Sequence, residues 1–252
     1  MLGFNHKASF AEHINAEIDA ALAIERATIP PRDYLGASRI GHPCERALQF
    51  EFAAAPYDPG AGPNGRSLRI FAIGERLEDL AVRWLRQAGF DLRSRKPGGT
   101  QFGFSAAGGL LQGHVDGVVL SGPALPGLAF PTIWECKTMN AKIWRETAAK
   151  GVVIAKPVYA AQIALYQAYM EASLPGVATN PALFTAINKD TAELHHELVP
   201  FDAALAQRMS DRAVRILQAT SAHELLPRIA RDPSFHECRF CPWAERCWRL
   251  PA

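Results

Sequence analysis

The chain has 252 residues with 27 Lys and Arg against 25 Asp and Glu, a net charge of +2, and is 48% hydrophobic and 21% charged. This balance suits a globular protein with a full core; it excludes a cysteine-dense secreted scaffold and a polybasic nucleic-acid coat, but not a nucleic-acid enzyme that concentrates positive charge in one groove. No apolar run approaches the ~18 residues needed to span a bilayer, and the first 28 residues lack the basic start and unbroken apolar stretch of a secretory leader, so a cytoplasmic protein with no membrane partner is expected.

Residues 9–28 carry apolar positions at helical spacing and stop before the paired prolines of "IPPRDY". Pro43 sits at the first turn of a short helix running through Arg46 to about Phe52. The Pro- and Gly-rich "APYDPGAGPNG" is a loop. The stretch "RSLRIFAIGERLEDLAVRWLRQAGF" repeats every 3.6 residues and closes at Gly89. The pattern then shortens to three strand-like runs, "QFGFSA", "LLQGHVDGVVL" and "TIWECKTM". A helix opened by Pro157 follows, then "ALFTAIN" and "ELHHELVPF" as a strand pair around "KD", a helix over 202–226 and a cysteine-rich tail. Helix, three strands, helix, two strands, helix predicts an α/β (α+β) sandwich, and the length allows one domain or two.

Glu135 and Lys137 stand two apart in a predicted strand and share a face. Asp116 lies on the neighbouring predicted strand, so a hairpin brings a carboxylate from each strand to one hard divalent cation such as Mg²⁺ or Mn²⁺. Lys137 beside them can position or deprotonate a water, or offset developing charge. The same residues also suit a solvated face with a cross-strand ion pair, but Val118, Val119, Ile133 and Trp134 around them mark a central sheet, where charges must pair or bind metal. Gln162 and Tyr166 fall four apart on one helix face, where they hold a phosphate or the lysine, or form an ordinary helix edge. Glu78, four after Gly74, faces the sheet or is one more exposed acid beside Glu75 and Asp79. His114 shares the face of Asp116 as a ligand or a structural histidine. Basic residues Lys142, Arg145, Lys150 and Lys156 around Trp144, with Arg93, Arg95, Lys96 and Lys189, can track phosphates or be surface charge.

Cys238, Cys241 and Cys247 form C-x2-C-x5-C, one thiolate short of a closed site. Cys136 lies between Glu135 and Lys137 and points to the opposite face as a small core residue, which leaves Cys44 as the fourth. Four cysteines suit an iron–sulfur cluster or a structural Zn²⁺, and a set without metal stays open.

G-x3-E, G-H-V-D-G, E-C-K and Q-x3-Y, in this order, resemble the PD-(D/E)XK nuclease superfamily with its restriction-endonuclease-like core, most closely its RecB-like branch. The resemblance implies that Asp116 and Glu135 bind Mg²⁺ or Mn²⁺ together with the Cys136 backbone carbonyl. It implies that Lys137 acts on water, and that Gln162 and Tyr166 support DNA or the lysine. Glu78 stands where many relatives have a helix histidine, and an acidic ligand there changes the charge of the site. One distant cysteine with C-x2-C-x5-C resembles the [4Fe–4S] staple of AddB-type and CRISPR-associated RecB-like exonucleases and phage relatives. Together the resemblances imply a single domain, a central mixed sheet flanked by helices, with a core over about 66–200 closed by cluster-binding parts at 38–52 and 236–250. The implied activity is metal-dependent hydrolysis of DNA at ends or in single strands, with protein partners in recombination, repair or CRISPR adaptation. The competing reading is a non-catalytic DNA-binding module of the same fold.

Overall fold

A computed structural model describes residues 8–251. The chain begins with α1 (Phe10–Ala27), opened by a capping box between Ser9 and Glu12, and continues through β1 (Leu35–Gly36), α2 (Glu45–Phe52) and α3 (Gly65–Gln87). The Asn64 side chain caps α3 by accepting from the Ser67 N–H at 3.0 Å, and Gly89, at φ +92°, turns the chain out of it. There follow β2 (Leu92–Arg93), β3 (Gly103–Ala106), β4 (Leu111–His114), β5 (Gly117–Val119) and β6 (Thr132–Met139). Then come α4 (Ala141–Lys150), α5 (Val152–Ala155), α6 (Pro157–Met170), β7 (Ala182–Asn188), β8 (Leu194–Val199), α7 (Ala203–Ser221), α8 (His236–Arg239) and α9 (Ala244–Arg249).

The main sheet has the order β2-β5-β6-β7-β8 and is mixed: β6 and β7 run parallel, with Glu135 opposite Phe184, and the other pairs are antiparallel. Parallel neighbours need a long crossover, here α4 to α6. β7 is buried along its whole length. β6 alternates between two cores: Ile133 and Met139 meet Ile163, Leu165 and Phe184, whereas Trp134 and Cys136 meet Ala81 and Val82 of α3. The Cys136 side chain is thus core, on the face away from its catalytic-type neighbours.

Four expectations change. A second, three-stranded sheet, β1-β4-β3, stands beside the main one. "LLQGHVDGVVL" is not one strand: β4 pairs with β3, β5 pairs with β6, and Asp116 falls in the break between the two sheets. The basic segment after β6 is α4, because Asn140 caps it by accepting from Ile143 N–H at 2.9 Å and Ile143, Trp144 and Thr147 supply an inward face. The last long helix ends at Ser221 rather than 226.

Just before the break the packing is close at Gly113, where a Cβ would meet Tyr166 Cε1 at 2.5 Å, Phe104 Cε1 at 2.7 Å and the Ala37 Cβ at 2.9 Å. Gly113→Ala is expected to overpack this junction and cost about 1–3 kcal/mol. Calorimetric melting checks this; an unchanged melting temperature would show that the ring of Tyr166 yields freely.

The tail returns to α2. Trp243 donates its indole N–H to the Ala55 carbonyl at 2.9 Å and lies against Phe50 and Tyr57, with ring centroids 6.1 and 5.1 Å away. Asp58 accepts from the Glu245 and Arg246 N–H groups at 2.6 and 3.1 Å, and Gln49 donates to the Glu224 carbonyl and accepts from Leu226 N–H.

Candidate active site

The break between β4 and β5 frees Asp116 from the ladder, and its Oδ2 accepts the Cys136 N–H at 2.8 Å, which ties it to the middle of β6. Glu135 projects from the α6-facing side of β6 and is fully buried, at 0% exposure. Its Oε1 accepts from Gln162 Nε2 at 2.6 Å and from Lys137 Nζ. Gln162 Nε2 also donates to the Tyr166 hydroxyl at 2.9 Å, and that hydroxyl donates to the His114 carbonyl at 2.8 Å. A single chain of hydrogen bonds therefore runs from β4 through α6 to the carboxylate. Lys137, 22% exposed, stands with Nζ 3.8 Å from Asp116 Oδ2.

The electrostatics follow from burial and crowding. Desolvation first, and the charge of Asp116 second, push Glu135 up to about 8, against the opposing pull of Lys137. The same two causes in the same order raise Glu78 of α3 to about 7, so it feels Asp116 and Lys137 across the site. Burial opposes the Lys137 ammonium, but Glu135 and Asp116 outweigh it and hold its pKa above the ordinary lysine value. Glu135 Oε2 and Gln162 Oε1 are buried with no hydrogen-bond partner. A buried carboxylate oxygen left bare is costly, and a bare oxygen on a carboxylate that shares Lys137 with Asp116 fits a divalent cation taking oxygen ligands. Among the described residues no group of three or more His, Cys, Asp or Glu side chains is arranged to hold a metal ion as it stands, so ligation requires these side chains to close up.

Asp116, Glu135, Lys137, Gln162 and Tyr166 thus come together, with Glu78 in electrostatic reach. His114 contributes its carbonyl, while its residue is exposed. Lys142, Arg145 and Lys189 are exposed, and Arg145 Nε donates back to the Ala141 carbonyl at 3.1 Å. Trp144 is not a free stacking ring, since its indole N–H donates to the Ala186 carbonyl at 3.0 Å. One neighbour escaped the sequence reading: the Tyr159 ring lies 5.4 Å from Lys137 Nζ, a cation–π contact. Its signal was the spacing of Tyr159, Gln162 and Tyr166 on one helix face.

Cys44, Cys238, Cys241 and Cys247 line one cavity between α2 and the tail, together with His42, Arg228 and Trp248. All four are free thiols, and like the carboxylates they do not form a group arranged to hold a metal ion as they stand. Burial, then the neighbouring Cys44 and Cys247, raise the Cys238 pKa. Burial pushes Cys241 up to about 11.

No curated protein matches this sequence. Among solved structures, an alkaline exonuclease from Laribacter hongkongensis superposes with a TM-score of 0.51 at 17% identity, covering 82% of this chain and 93% of its own. The protein SSO0001 also gives a TM-score of 0.51, at 13% identity, over 97% of this chain and 100% of its own. At these identities the likeness is one of fold. A family model described as the PD-(D/E)XK nuclease superfamily matches residues 37–248, from just before Cys44 to the end of the cysteine tail. The chain belongs to the PD-(D/E)XK nuclease superfamily.

Proposed function

We propose that this chain is a deoxyribonuclease of the RecB-like iron–sulfur branch that depends on Mg²⁺ or Mn²⁺, acts on DNA ends or single strands, and is built as one domain closed by a four-cysteine cluster. The observation that carries the catalytic reading is the buried Glu135 carboxylate, with Oε1 on Lys137 and Oε2 bare, and Asp116 3.8 Å from the same ammonium. Asp116, Glu135 and the Cys136 carbonyl would hold the cation, with Glu78 and His114 as further candidates. A bound Mg²⁺ or Mn²⁺ supplies Lewis acidity at the phosphate and a lowered pKa for water. Gln162 fixes the rotamer of Glu135, and Tyr166 fixes Gln162 against the His114 carbonyl. Lys137, held as an ammonium by the two carboxylates, donates to the attacking water or to a phosphate oxygen as charge grows there. End-labelled single- and double-stranded DNA, incubated with Mg²⁺, Mn²⁺ or EDTA, tests this reading. Metal-dependent cleavage with a product ladder from one end is expected, and intact DNA on every substrate would refute it.

For the cysteines, the reading rests on four free thiols around one cavity where the tail meets α2. They would ligate a [4Fe–4S] cluster or, as the alternative, Zn²⁺.

Proton linkage gives a separate check on the carboxylates. Glu135 and Glu78 sit at about 8 and about 7 in the fold against an ordinary value of 4.5. The metal-free fold therefore holds protons that the unfolded chain has released. Their contribution to stability is complete below about pH 4.5 and is lost as pH rises through 7 and 8. A cation must displace those protons. Mn²⁺ is expected to raise the melting temperature more at pH 8 than at pH 6, and an equal gain at both would argue against these carboxylates as its ligands.

A further inference from the structure

Inside the seam between α2 and the tail lies a guanidinium without an anion. Arg46 is 0% exposed. Its Nε donates to the Leu226 carbonyl, its Nη1 donates to the Pro251 carbonyl at 2.9 Å and lies 3.8 Å from Cys247 Sγ, and its Nη2 has no partner. The nearby carboxylates are engaged elsewhere: Glu45 with Arg212 and Arg215, Glu51 with Arg39, Glu237 with His236. Among the described residues none pairs with Arg46. A buried cation answered only by carbonyls is expensive.

The surroundings show what would answer it. Cys247 Sγ is one of four thiols around the adjoining cavity. On a metal, four thiolates carry more negative charge than the core they bind neutralises. As free thiols they carry none and leave Arg46 unmatched. Arg228, on the same cavity, is answered differently: it donates to the Cys247 and Leu250 carbonyls and covers the Trp248 ring at 4.5 Å.

We propose that Arg46 is the counter-ion of the metal centre held by Cys44, Cys238, Cys241 and Cys247, a positioning residue that acts through Cys247 Sγ to retain the metal and, for an iron–sulfur cluster, to set its reduction potential. This rests on the reading of those cysteines as metal ligands.

The test compares the full-length protein with Arg46→Gln, which removes the charge but keeps an amide donor for a carbonyl, and Arg46→Lys, which keeps the charge with fewer donors. Iron, zinc and acid-labile sulfide are measured per chain, then the rate of metal loss to EDTA, and the midpoint potential where iron is present. R46Q is expected to release metal about 10- to 100-fold faster, the usual effect of losing an outer-shell partner. Its cluster potential is expected to move negative, because a lost cation makes an added electron less welcome. R46K should stay near the wild type in both. A purely structural role predicts R46K impaired as much as R46Q with no change in potential, and that result would overturn the proposal. Stripped of metal, R46Q is expected to melt no lower than the wild type, since the unmatched charge is gone. Wild-type protein purified without iron or zinc would refute the cysteine reading and this proposal with it. A loaded wild type beside an equally retentive R46Q would refute this proposal alone.

Discussion

Lys137→Ala is expected to lower divalent-dependent DNA cleavage by about 10³-fold while leaving a folded protein, a loss typical of removing a positioned proton donor or electrostatic stabiliser. The size follows from where Lys137 stands. It is the cation that contacts Glu135 and sits 3.8 Å from Asp116, and the Tyr159 ring and Glu135 fix its ammonium in place. Removing it takes away the group that faces the water and the developing phosphate charge. The fold tolerates the loss because Glu135, already raised by burial and by Asp116, takes up a proton rather than remain an unpaired buried anion. Lys137→Arg separates charge from position: a planar fork on a longer stem restores the charge but not the reach of a point donor, so the rate should stay at least about 10²-fold down. End-labelled substrate with Mg²⁺ and with Mn²⁺ reads both variants beside their melting curves. Cleavage by Lys137→Ala within a few-fold of wild type would remove Lys137 from the mechanism.

The chain of Gln162, Tyr166 and the His114 carbonyl explains why so much of this site was legible. Glu135, Lys137, Gln162 and Tyr166 each sit in regular structure, where periods of 2 and 3.6 translate spacing into direction. Period alone put Cys136 on the far side of β6, and it lies there with Ala81 and Val82. The misreadings fall where direction is set by tertiary contact. Val115 and Asp116 continue an alternating pattern, so nothing local reveals that the chain changes sheets there; the change shows only in the pairing of β4 with β3 and of β5 with β6. The basic run after β6 reads from sequence as a phosphate track or as surface charge, and charge alone does not reveal the Asn140 cap and the Ile143, Trp144 and Thr147 stripe that make it α4. Trp144 then proved to belong to the sheet through Ala186. Arg46 lay in plain view within "CERALQF", but burial of a charge is a property of the seam, not of the helix that carries it.

The seam also sets the second large effect. Cys44→Ser is expected to abolish metal retention and to lower the melting temperature by about 10–20 °C. Cys44 and Cys238 are 194 positions apart (238 − 44). Treated as a cross-link, a centre that joins them removes roughly 5 kcal/mol of unfolded-chain entropy on the loop-closure relation used for disulfides, and a chain of this size loses about 2–4 °C per kcal/mol. The control is Cys136→Ala. That thiol is buried with Trp134, Ala81 and Val82 on the α3 side of the sheet, so its loss should cost core packing but no iron or zinc. Metal content and melting of the two variants, side by side, distinguish ligand from filler. Contacts of Trp243, Asp58 and Gln49 already hold the tail to α2. If Cys44→Ser melts like the wild type and neither contains metal, those contacts alone close the fold. If Cys44→Ser loses both metal and stability while Cys136→Ala keeps its metal, the cysteines are the clasp, and the metal found, iron with sulfide or zinc, names the centre.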